Sequence, residues 1–378
     1  MRIAFLNWRD STHPEGGGAE KYAETVCAGL AARGHDVSMF CARHPGSAAE
    51  EMRASYRVLR QGGRLGVYAA TLRRLRAVEA AEGAFDAVID TQNGLPFAAP
   101  LATRSPVVVL VHHVHREQWP IVFGRVTAKV GWTIESRIAP RFYRGHQYVV
   151  VSQETRSELA ELGVDPADVA VIHNGTDVPL SVTAGRSESP RLVVLGRLVP
   201  HKRVEHAIRV LARLLPRHPD LRLHIVGDGW WAHEIRSEAE RLGVSHRVDL
   251  LGHVDETVKN LELAAGWVHL APSAKEGWGL SVVEAASHGT PTVAYTHTGG
   301  LSESIVDGHT GALVDDLDAM VDTVDHLLAS PAERERMGKA AKEHSAAFTW
   351  ERTISAWETM LRHVVRRDQP VAGTDDAD

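Results

Sequence analysis

Short runs of aliphatic and β-branched residues alternate with helical patterns along almost the whole chain. This alternation is typical of parallel sheets wrapped by helices rather than of sandwiches or helical bundles. A first series of predicted strands lies near residues 3–7, 37–42, 86–90, 106–111, 147–152 and 169–173. A second series lies near residues 191–196, 222–227, 247–251, 267–271 and 291–295. Each series is long enough for a complete doubly wound sheet, so the sequence predicts two α/β units.

The length of the chain also indicates two domains. It has 378 residues, whereas single hydrophobic cores seldom grow beyond about 250–300 residues. Residues 179–190 are rich in small polar side chains and bounded by prolines, as linkers tend to be. We therefore predict a first domain over residues 1–182 and a second over residues 187–349. An amphipathic helix over residues 350–367 should return to the first domain, and residues 368–378 should form a disordered tail.

Composition excludes several classes of protein. The two cysteines, Cys27 and Cys41, rule out a disulfide framework and a four-cysteine zinc site, and they suit a reducing compartment. The apolar run at the N-terminus is too short for a secretory signal, and no segment approaches the ~20 apolar residues of a spanning helix. We therefore expect a cytoplasmic protein, with any membrane contact peripheral on the inner face. A net charge of −6 leads us to expect no nucleic-acid partner.

One segment carries a strong positive charge. Residues 53–76 contain seven arginines and no acidic residue. Leu65, Tyr68, Leu72 and Leu75 add an apolar stripe, so the second part reads as a basic amphipathic helix. Such a helix could lie on an anionic membrane or receive a phosphorylated acceptor. An ordinary surface helix beside the sheet is the favoured interpretation.

The most informative stretch is residues 272–284, PSAKEGWGLSVVE, which runs from a buried strand into a helix. The free N–H groups and positive dipole end of a helix N-terminus form an anion site, and Gly277 and Gly279 allow a phosphate to approach the backbone. Glu276 and Glu284 could each accept hydrogen bonds from vicinal hydroxyls, on a sugar and on a ribose. The segment is therefore a candidate diphosphate-binding site, called the cradle below, with a hydroxyl-binding glutamate on each side of it.

The same residues have simpler interpretations. Ser281 and Glu284 stand at the spacing of a capping box, in which the glutamate only closes its own helix. Glu276 alone could be a solvated loop charge. Both alternatives remain open at the level of the sequence.

Two further segments could hold phosphate. Arg197 and Lys202 follow a predicted strand, so both cations could reach one diphosphate at the carboxyl end of the sheet, unless they are solvated surface charges. Gly17 and Gly18 lie in a glycine loop that opens a helix and could offer backbone amides, although glycines at a turn more often meet a conformational requirement of the loop than bind a ligand. This loop lacks the dinucleotide fingerprint, because Lys21 stands where its third glycine would be.

Three histidines follow the strand predicted near 106–111: His112, His113 and His115. Ligands of open α/β folds bind at this end of the sheet, so His112 is placed in the cleft. A metal site is the alternative for the cluster, but no carboxylate or cysteine partner is evident, and none is predicted. The acceptor side is predicted to include His113 and His115 together with the residues that end the preceding strand, Asp90, Gln92 and Asn93.

Taken in order, these segments resemble the retaining family-4 glycosyltransferases of GT-B fold, whose donor motif begins E-G-aromatic-G-L and has a second glutamate after seven intervening residues. Here the two glutamates are Glu276 and Glu284. Further matches run along almost the whole chain: residues 17–20, 34–37, His112, residues 174–177, Gly196 and Arg197, Lys202, residues 227–229, Gly252, and residues 299–300. The fold class implied is α/β, with two Rossmann-like doubly wound parallel sheets facing across a cleft.

The resemblance implies transfer of a hexosyl unit from a UDP- or GDP-sugar to a hydroxyl acceptor with retention at the anomeric carbon, without a cofactor or an essential metal. The acceptor could be a glycan, a glycolipid or a small metabolite. The implied catalytic residues are His112, Glu276, Arg197 and Lys202. The implied donor contacts are Gly17, Gly18, Arg197, Lys202, Val254, Glu276, Gly277, Trp278, Gly279, Leu280 and Glu284.

Three other functions remain as alternatives. A non-catalytic nucleotide-sugar-binding subunit would keep the donor motif without transfer, and an epimerase of similar fold would need no acceptor. A Rossmann oxidoreductase is opposed by the missing fingerprint.

Overall fold

The computed structural model describes residues 1–14, 16–178 and 185–368. Within these ranges it contains two sheets, of eight and six strands. The first sheet consists of β1 Arg2–Leu6, β2 Asp36–Ala42, β3 Glu50–Arg53, β4 Tyr56–Gln61, β5 Ala87–Gln92, β6 Val107–Val111, β7 Gln147–Val150 and β8 Val169–Val171. The second consists of β9 Arg191–Leu195, β10 Arg222–Val226, β11 Val248–Gly252, β12 Val268–Ala271, β13 Thr292–Tyr295 and β14 Gly311–Val314.

Helices cover the sheets on both faces. They are α1 Gly18–Ala32, α2 Val67–Glu82, α3 Gln118–Val122, α4 Arg125–Thr133, α5 Ala139–Phe142, α6 Gln153–Glu161, α7 Val204–Leu214, α8 Ala232–Arg241, α9 Glu256–Ala265, α10 Leu280–Ser287, α11 Leu301–Ser304, α12 Leu317–Ala329, α13 Pro331–Ser345 and α14 Trp350–Asp368. A π-helical segment, Ile134–Ile138, joins α4 to α5, so residues 125–142 form one continuous helical stretch.

The strand order is β3-β4-β2-β1-β5-β6-β7-β8 in the first sheet and β11-β10-β9-β12-β13-β14 in the second. The order reverses beside β1 and beside β9, and ligands of open α/β sheets bind at such switch points. In the second sheet β9 and β12 are neighbours, with Val268 paired to Leu192. The loops that follow these two strands therefore emerge side by side at the carboxyl edge.

All of the predicted strands are present, and three further strands were not predicted. β3 pairs antiparallel to β4, so the first sheet is mixed while the second is parallel. β3 and β4 occupy the start of the basic segment, whose helix begins only at Val67 and leaves Leu65 outside it with 76% of its surface exposed.

Four of the seven arginines of residues 53–76 form ion pairs within the fold. Arg60 is buried against Asp10, and Arg53 binds Glu24 at 2.6 Å. Arg57 and Arg74 also pair with carboxylates. The membrane contact considered as an alternative for this segment would therefore depend on the three arginines that form no ion pair among the described residues, Arg64, Arg73 and Arg76. No helix of the described ranges is long and apolar enough to cross a bilayer.

The last helix packs on the first sheet's layer and not on the second. Ile354, Trp357 and Leu361 share a buried cluster with Tyr22 of α1, and the Trp357 indole donates to the Tyr22 hydroxyl at 2.5 Å. Asp368 ends this helix, and the rest of the predicted tail lies outside the described residues. The first part of the predicted linker, residues 179–184, also lies outside them.

Candidate active site

The Glu276 carboxylate lies in the loop after β12, next to Gly277, where the second domain contacts His112 of the first. It forms an ion pair with the Lys202 ammonium and accepts a hydrogen bond from the Ser273 hydroxyl at 2.7 Å. The pair forms because Lys202 follows β9 and Glu276 follows its neighbour β12. Burial raises the pKa of Glu276, but Lys202 and Ser273 more than offset this and hold it below its ordinary value. Glu276 is therefore ionised at neutral pH and is not a free loop charge.

Arg197 brings a second cation to the same edge. A Cβ atom built on Gly17 would lie 2.9 Å from the Arg197 Nε atom, so the guanidinium of the second domain touches the glycine loop of the first. A Cβ on Gly18 would meet Leu280 at the same distance. The glycine loop and the start of α1 therefore lie directly beside the candidate cradle. The amide of Gly17 itself is occupied, since it donates to the Glu20 carboxylate at 2.8 Å.

Two glycines, Gly279 and Gly277, shape the cradle in different ways. Gly279 precedes α10 with φ of 88°, a left-handed conformation that favours glycine. The helix then begins at Leu280, so the N–H groups of Leu280 and Ser281 have no partner within it. Gly277 allows the two domains to meet, because a Cβ there would lie less than 3.0 Å from the His112 carbonyl oxygen.

Trp278 does not face the cradle with its side chain. Its indole is 2% exposed and stacks on His173 with ring centroids 4.6 Å apart. Val151 and Val283 complete this cluster between the domains. A donor contact from Trp278 would therefore come from its backbone.

Glu284 does not cap its helix. The cap position is Gly279, which places Glu284 in the second turn, and its carboxylate accepts from the Lys259 ammonium at 2.7 Å. Burial lowers the pKa of Lys259, but Glu284 and Glu256 raise it above its ordinary value. The capping-box interpretation is therefore wrong, and Glu284 is held by a cation from α9.

The Lys259 contact belongs to a row of charges that crosses the cleft. Glu256 lies 2.7 Å from Lys259 and 3.5 Å from Lys21 of α1, and Lys21 also binds Asp177 at 2.5 Å. Alternating charges thus connect the first domain to Glu284. Neither Lys259 nor Lys21 was predicted as a site residue, since only the Glu256–Lys259 spacing within α9 marks an ion pair in the sequence.

His112 presents a neutral imidazole to the cleft. It is 7% exposed, and burial lowers its pKa to about 4. Its ring packs edge-on against Tyr22 with centroids 5.0 Å apart, and Nε2 has no hydrogen-bond partner among the described residues. A buried polar atom without a partner is costly, so Nε2 is suited to a ligand.

His113 and His115 are bound to nearby protein groups. His113 Nε2 lies 2.9 Å from the Gln118 side-chain oxygen, and burial lowers the His113 pKa well below its ordinary value. His115 Nδ1 lies 3.0 Å from a carboxylate oxygen of buried Glu135, which also accepts from Trp119 at 2.6 Å. Glu135 is the carboxylate partner that the sequence did not reveal, since it lies twenty residues away on the π-helical segment.

The three residues predicted at the end of β5 differ in placement. Asp90 is fully buried, and it accepts from the amides of Phe97 and Ala99 and from the Tyr143 hydroxyl. It therefore organises the following loop and does not face an acceptor. Gln92 is buried with its side-chain oxygen unpartnered among the described residues, and Asn93 is half-buried.

Val254 follows β11 and packs against a small apolar cluster that includes Val226 and Ala285. No group of three or more histidine, cysteine, aspartate or glutamate side chains suited to a metal ion occurs among the described residues. The site therefore consists of cations, two glutamates, helix amides and a neutral histidine.

Comparison with solved structures defines the class of fold. Sucrose-phosphate synthase from Thermosynechococcus elongatus superposes with a TM-score of 0.84 at 21% identity, covering 97% of this chain and 100% of that one. The Anabaena protein HepE, solved in complex with UDP-glucose, gives a TM-score of 0.77 at 20% identity, covering 96% and 100%. The chain has the GT-B fold of these proteins.

Curated relatives show similar sequences over differing extents. A mannosyltransferase of Mycolicibacterium smegmatis, named GDP-mannose-dependent alpha-(1-6)-phosphatidylinositol monomannoside mannosyltransferase, is 29% identical over 89% of this chain and 92% of its own. A D-inositol 3-phosphate glycosyltransferase of Corynebacterium diphtheriae is 33% identical over 60% and 59%. An exopolysaccharide phosphotransferase of Streptomyces coelicolor is 33% identical over 59% and 24%. The match thus spans less than two thirds of the last two proteins.

Two family descriptions match the halves of the chain: Glycosyltransferase Family 4 over residues 16–179 and Glycosyl transferases group 1 over residues 182–344. The chain belongs to the family-4 glycosyltransferases of GT-B fold.

Proposed function

We propose that the protein is a retaining glycosyltransferase that moves a hexosyl unit from a UDP- or GDP-sugar to a hydroxyl acceptor. The observation that carries this proposal is the Glu276–Lys202 pair. It lies in the loops that follow β9 and β12, at the second sheet's switch point, and the next residue, Gly277, contacts the His112 carbonyl of the first domain. An ionised carboxylate beside a cation, with helix amides next to both, suits a sugar attached to a diphosphate. The UDP-glucose in the HepE complex and the GDP-mannose in the mycobacterial relative's name support this class of donor.

Three groups would stabilise the negative charge of the donor's diphosphate. They are the Lys202 ammonium, the Arg197 guanidinium and the N-terminus of α10, whose free N–H groups form the positive end of the helix dipole. Fixed charges of this kind stabilise a leaving group without reorganising during the reaction. These groups supply the charge neutralisation that a divalent ion provides elsewhere, so we propose that no metal or cofactor is required.

Glu276 and Lys202 would exchange partners when the donor binds. In the free protein the carboxylate holds the ammonium, and sugar hydroxyls would take over part of the carboxylate while the diphosphate takes the ammonium. Glu284 would bind the ribose hydroxyls, with Lys259 fixing its orientation from behind. Val254 would lie beside the base.

The transfer step would proceed on one face of the sugar. The bond from the anomeric carbon to the phosphate oxygen breaks, and the acceptor oxygen forms its bond on the same face. The acceptor's proton passes to the departing phosphate oxygen, which Arg197 and Lys202 stabilise. Neutral His112 would donate or accept a hydrogen bond at the sugar through Nε2, whose partner is missing within the described part of the chain.

Glu284→Ala should weaken donor binding about 10-fold or more, because it removes a charged acceptor of ribose hydroxyls worth ~1.5–3 kcal/mol. Calorimetric titration of UDP and GDP measures this directly. Glu333→Ala, which removes a glutamate that pairs with Arg336 on the same helix α13, is the control. Equal nucleotide affinity in the Glu284→Ala variant and the control would show that Glu284 only holds Lys259.

Transfer should persist in excess chelator and give a product with the donor's anomeric configuration. Proton NMR of the product with UDP-glucose and GDP-mannose as donors, and a panel of sugar, inositol and lipid hydroxyls as acceptors, tests both points. Loss of activity that a divalent ion restores would contradict metal independence, and the opposite anomer would contradict retention. Donor binding without turnover or donor hydrolysis would indicate a binding subunit, and isomerised donor would indicate an epimerase.

A further inference from the structure

The helical stretch 125–142 exposes an apolar and basic surface on the first domain. We call it the basic-apolar face and define it by Arg125, Val126, Lys129, Val130, Arg137, Ile138, Arg141 and Phe142. Its apolar members are unusually exposed: Val126 by 78%, Val130 by 54%, Ile138 by 53% and Phe142 by 36%. Ile121 and Val122 at the end of α3, and Phe123 directly after it, are also exposed. The four cations of the face are exposed as well.

The face is organised by a repeated sequence pattern. A cation is followed directly by an apolar residue at 125–126, 129–130, 137–138 and 141–142. Residues four apart are neighbours on a helix, so the cations form one row and the apolar side chains a second row beside it. The π-helical segment takes up more residues per turn, which keeps these positions on one side along the stretch. At ~1.5 Å per residue the rows extend over roughly 27 Å.

The charge of the face is not balanced within the protein. None of its four cations forms an ion pair with another described residue, and the Arg141 guanidinium donates only to the Arg137 carbonyl oxygen. The one acidic residue within 125–142 is Glu135, which is buried and bound by His115 and Trp119. This contrasts with residues 53–76, where four of the seven arginines, Arg53, Arg57, Arg60 and Arg74, bind carboxylates. The positive charge here is therefore available to a partner.

The opposite side of the stretch is firmly anchored. Trp119 fills the space beside Gly131, where a Cβ atom would lie less than 3.0 Å from its ring. The Trp119 indole donates to Glu135 on the same side, and Ala128 is buried. The helical stretch is thus packed against the domain by its other side, and the basic-apolar face is its solvent-facing side.

We propose that this face docks on an anionic lipid bilayer. Parallel rows of apolar side chains and unpaired cations match the two layers of a bilayer surface, where acyl chains lie below anionic headgroups. The face itself supplies both features that a bilayer surface binds, the apolar row and the row of cations. A protein partner would instead need an acidic surface of the same spacing. The docking requires no sugar transfer, so it stands or falls independently of the proposed function.

Co-sedimentation with vesicles tests the proposal. The wild-type protein should bind vesicles of phosphatidylglycerol and phosphatidylcholine (1:1) at low salt and bind pure phosphatidylcholine at least 10-fold more weakly. Val126→Ser/Val130→Ser and Arg125→Glu/Lys129→Glu should each reduce binding at least 10-fold. Because all four positions are exposed, thermal unfolding should be close to that of the wild type, which verifies folding.

Matched controls come from exposed residues elsewhere. Trp230→Ser removes an apolar side chain that is 62% exposed, and Lys339→Glu reverses an exposed charge. Arg73→Glu/Arg74→Glu tests the basic segment around α2. All three should retain vesicle binding.

Three outcomes would overturn the proposal. The first is absence of binding to anionic vesicles by the wild-type protein. The second is loss of binding in the Arg73→Glu/Arg74→Glu variant with retention in the basic-apolar face variants. The third is a wild-type dimer in sedimentation velocity that Val126→Ser/Val130→Ser converts to monomer, since the face would then be an interface between two copies.

Discussion

Replacing Lys202 by methionine should reduce kcat for sugar transfer by about 100- to 1,000-fold, the range found when one preorganised charge-stabilising group is removed. Methionine keeps the length of the side chain but loses the ammonium that binds Glu276 and would bind the leaving diphosphate. Without that ammonium the pKa of buried Glu276 should rise, because Lys202 is the largest influence that lowers it. Transition-state stabilisation and the charge of the neighbouring glutamate are therefore affected together.

The measurement is steady-state kinetics with a saturating donor, and Lys339→Met is the control because Lys339 is an exposed lysine of the same domain. Thermal unfolding of both variants shows whether they fold. A Lys202→Met enzyme with the wild-type kcat and the wild-type KM would mean that the Lys202 ammonium takes no part in donor binding or transfer. A rise in KM with unchanged kcat would limit Lys202 to donor binding.

Replacing Gly277 by alanine should reduce kcat/KM by about 100-fold and lower the unfolding temperature. The added methyl group would lie less than 3.0 Å from the His112 carbonyl oxygen, and neither atom belongs to a flexible side chain. The second domain must therefore move away from the first. Such overpacking costs ~1–3 kcal/mol, and a displacement of about 1 Å at a reacting centre can cost 10²-fold in rate.

Gly63→Ala is the matched control, because a Cβ built on Gly63 has no neighbour within 4 Å and its φ lies outside the left-handed region. Kinetics and thermal unfolding of the two variants, measured side by side, isolate the close approach from the general effect of removing a glycine. Identical behaviour of the two alanine variants would show that contact between Gly277 and His112 is unimportant for the reaction.

The architecture could be predicted from the sequence because parallel strands buried on both faces read as apolar runs. The strands that were missed lack this signal. β3 consists of Glu50, Glu51, Met52 and Arg53 at the sheet edge, where charged side chains remain in water. In β4 the apolar run is interrupted by Arg57 and Arg60, whose ion pairs with Glu82 and Asp10 are invisible in a linear pattern. β14 is four residues long and begins with glycine.

The candidate site was predicted less completely than the fold. Glu276 and Lys202 could be paired in advance only by knowing that β9 and β12 are neighbours, a relation that depends on strand order. Lys259 lies twenty-five residues from Glu284, and no local spacing connects them. The direction in which the Trp278 side chain points depends on the backbone dihedral angles of Gly277 and Gly279, which a sequence does not specify. Asp90 ends a strand like a ligand-binding residue, but Tyr143 binds it internally.

The surface charge illustrates the same limit. Residues 53–76 contain the densest run of arginines, yet the carboxylates that bind four of them come from the loop after β1 and from β3, α1 and α2. The basic-apolar face has a lower density of charge along the sequence but keeps that charge in solvent. Which arginines are available to a partner is therefore a property of the tertiary structure.

The most direct test of the donor site is calorimetric titration of UDP, GDP, UDP-glucose and GDP-mannose into the wild-type protein and the Glu276→Ala variant. If residues 276–284 hold a nucleotide sugar, one nucleotide should bind with 1:1 stoichiometry and its sugar conjugate should bind more tightly. Glu276→Ala should remove that added affinity while nucleotide binding remains. Absence of binding by all four compounds, or an equal preference for the sugar conjugate in the variant, would contradict the assignment.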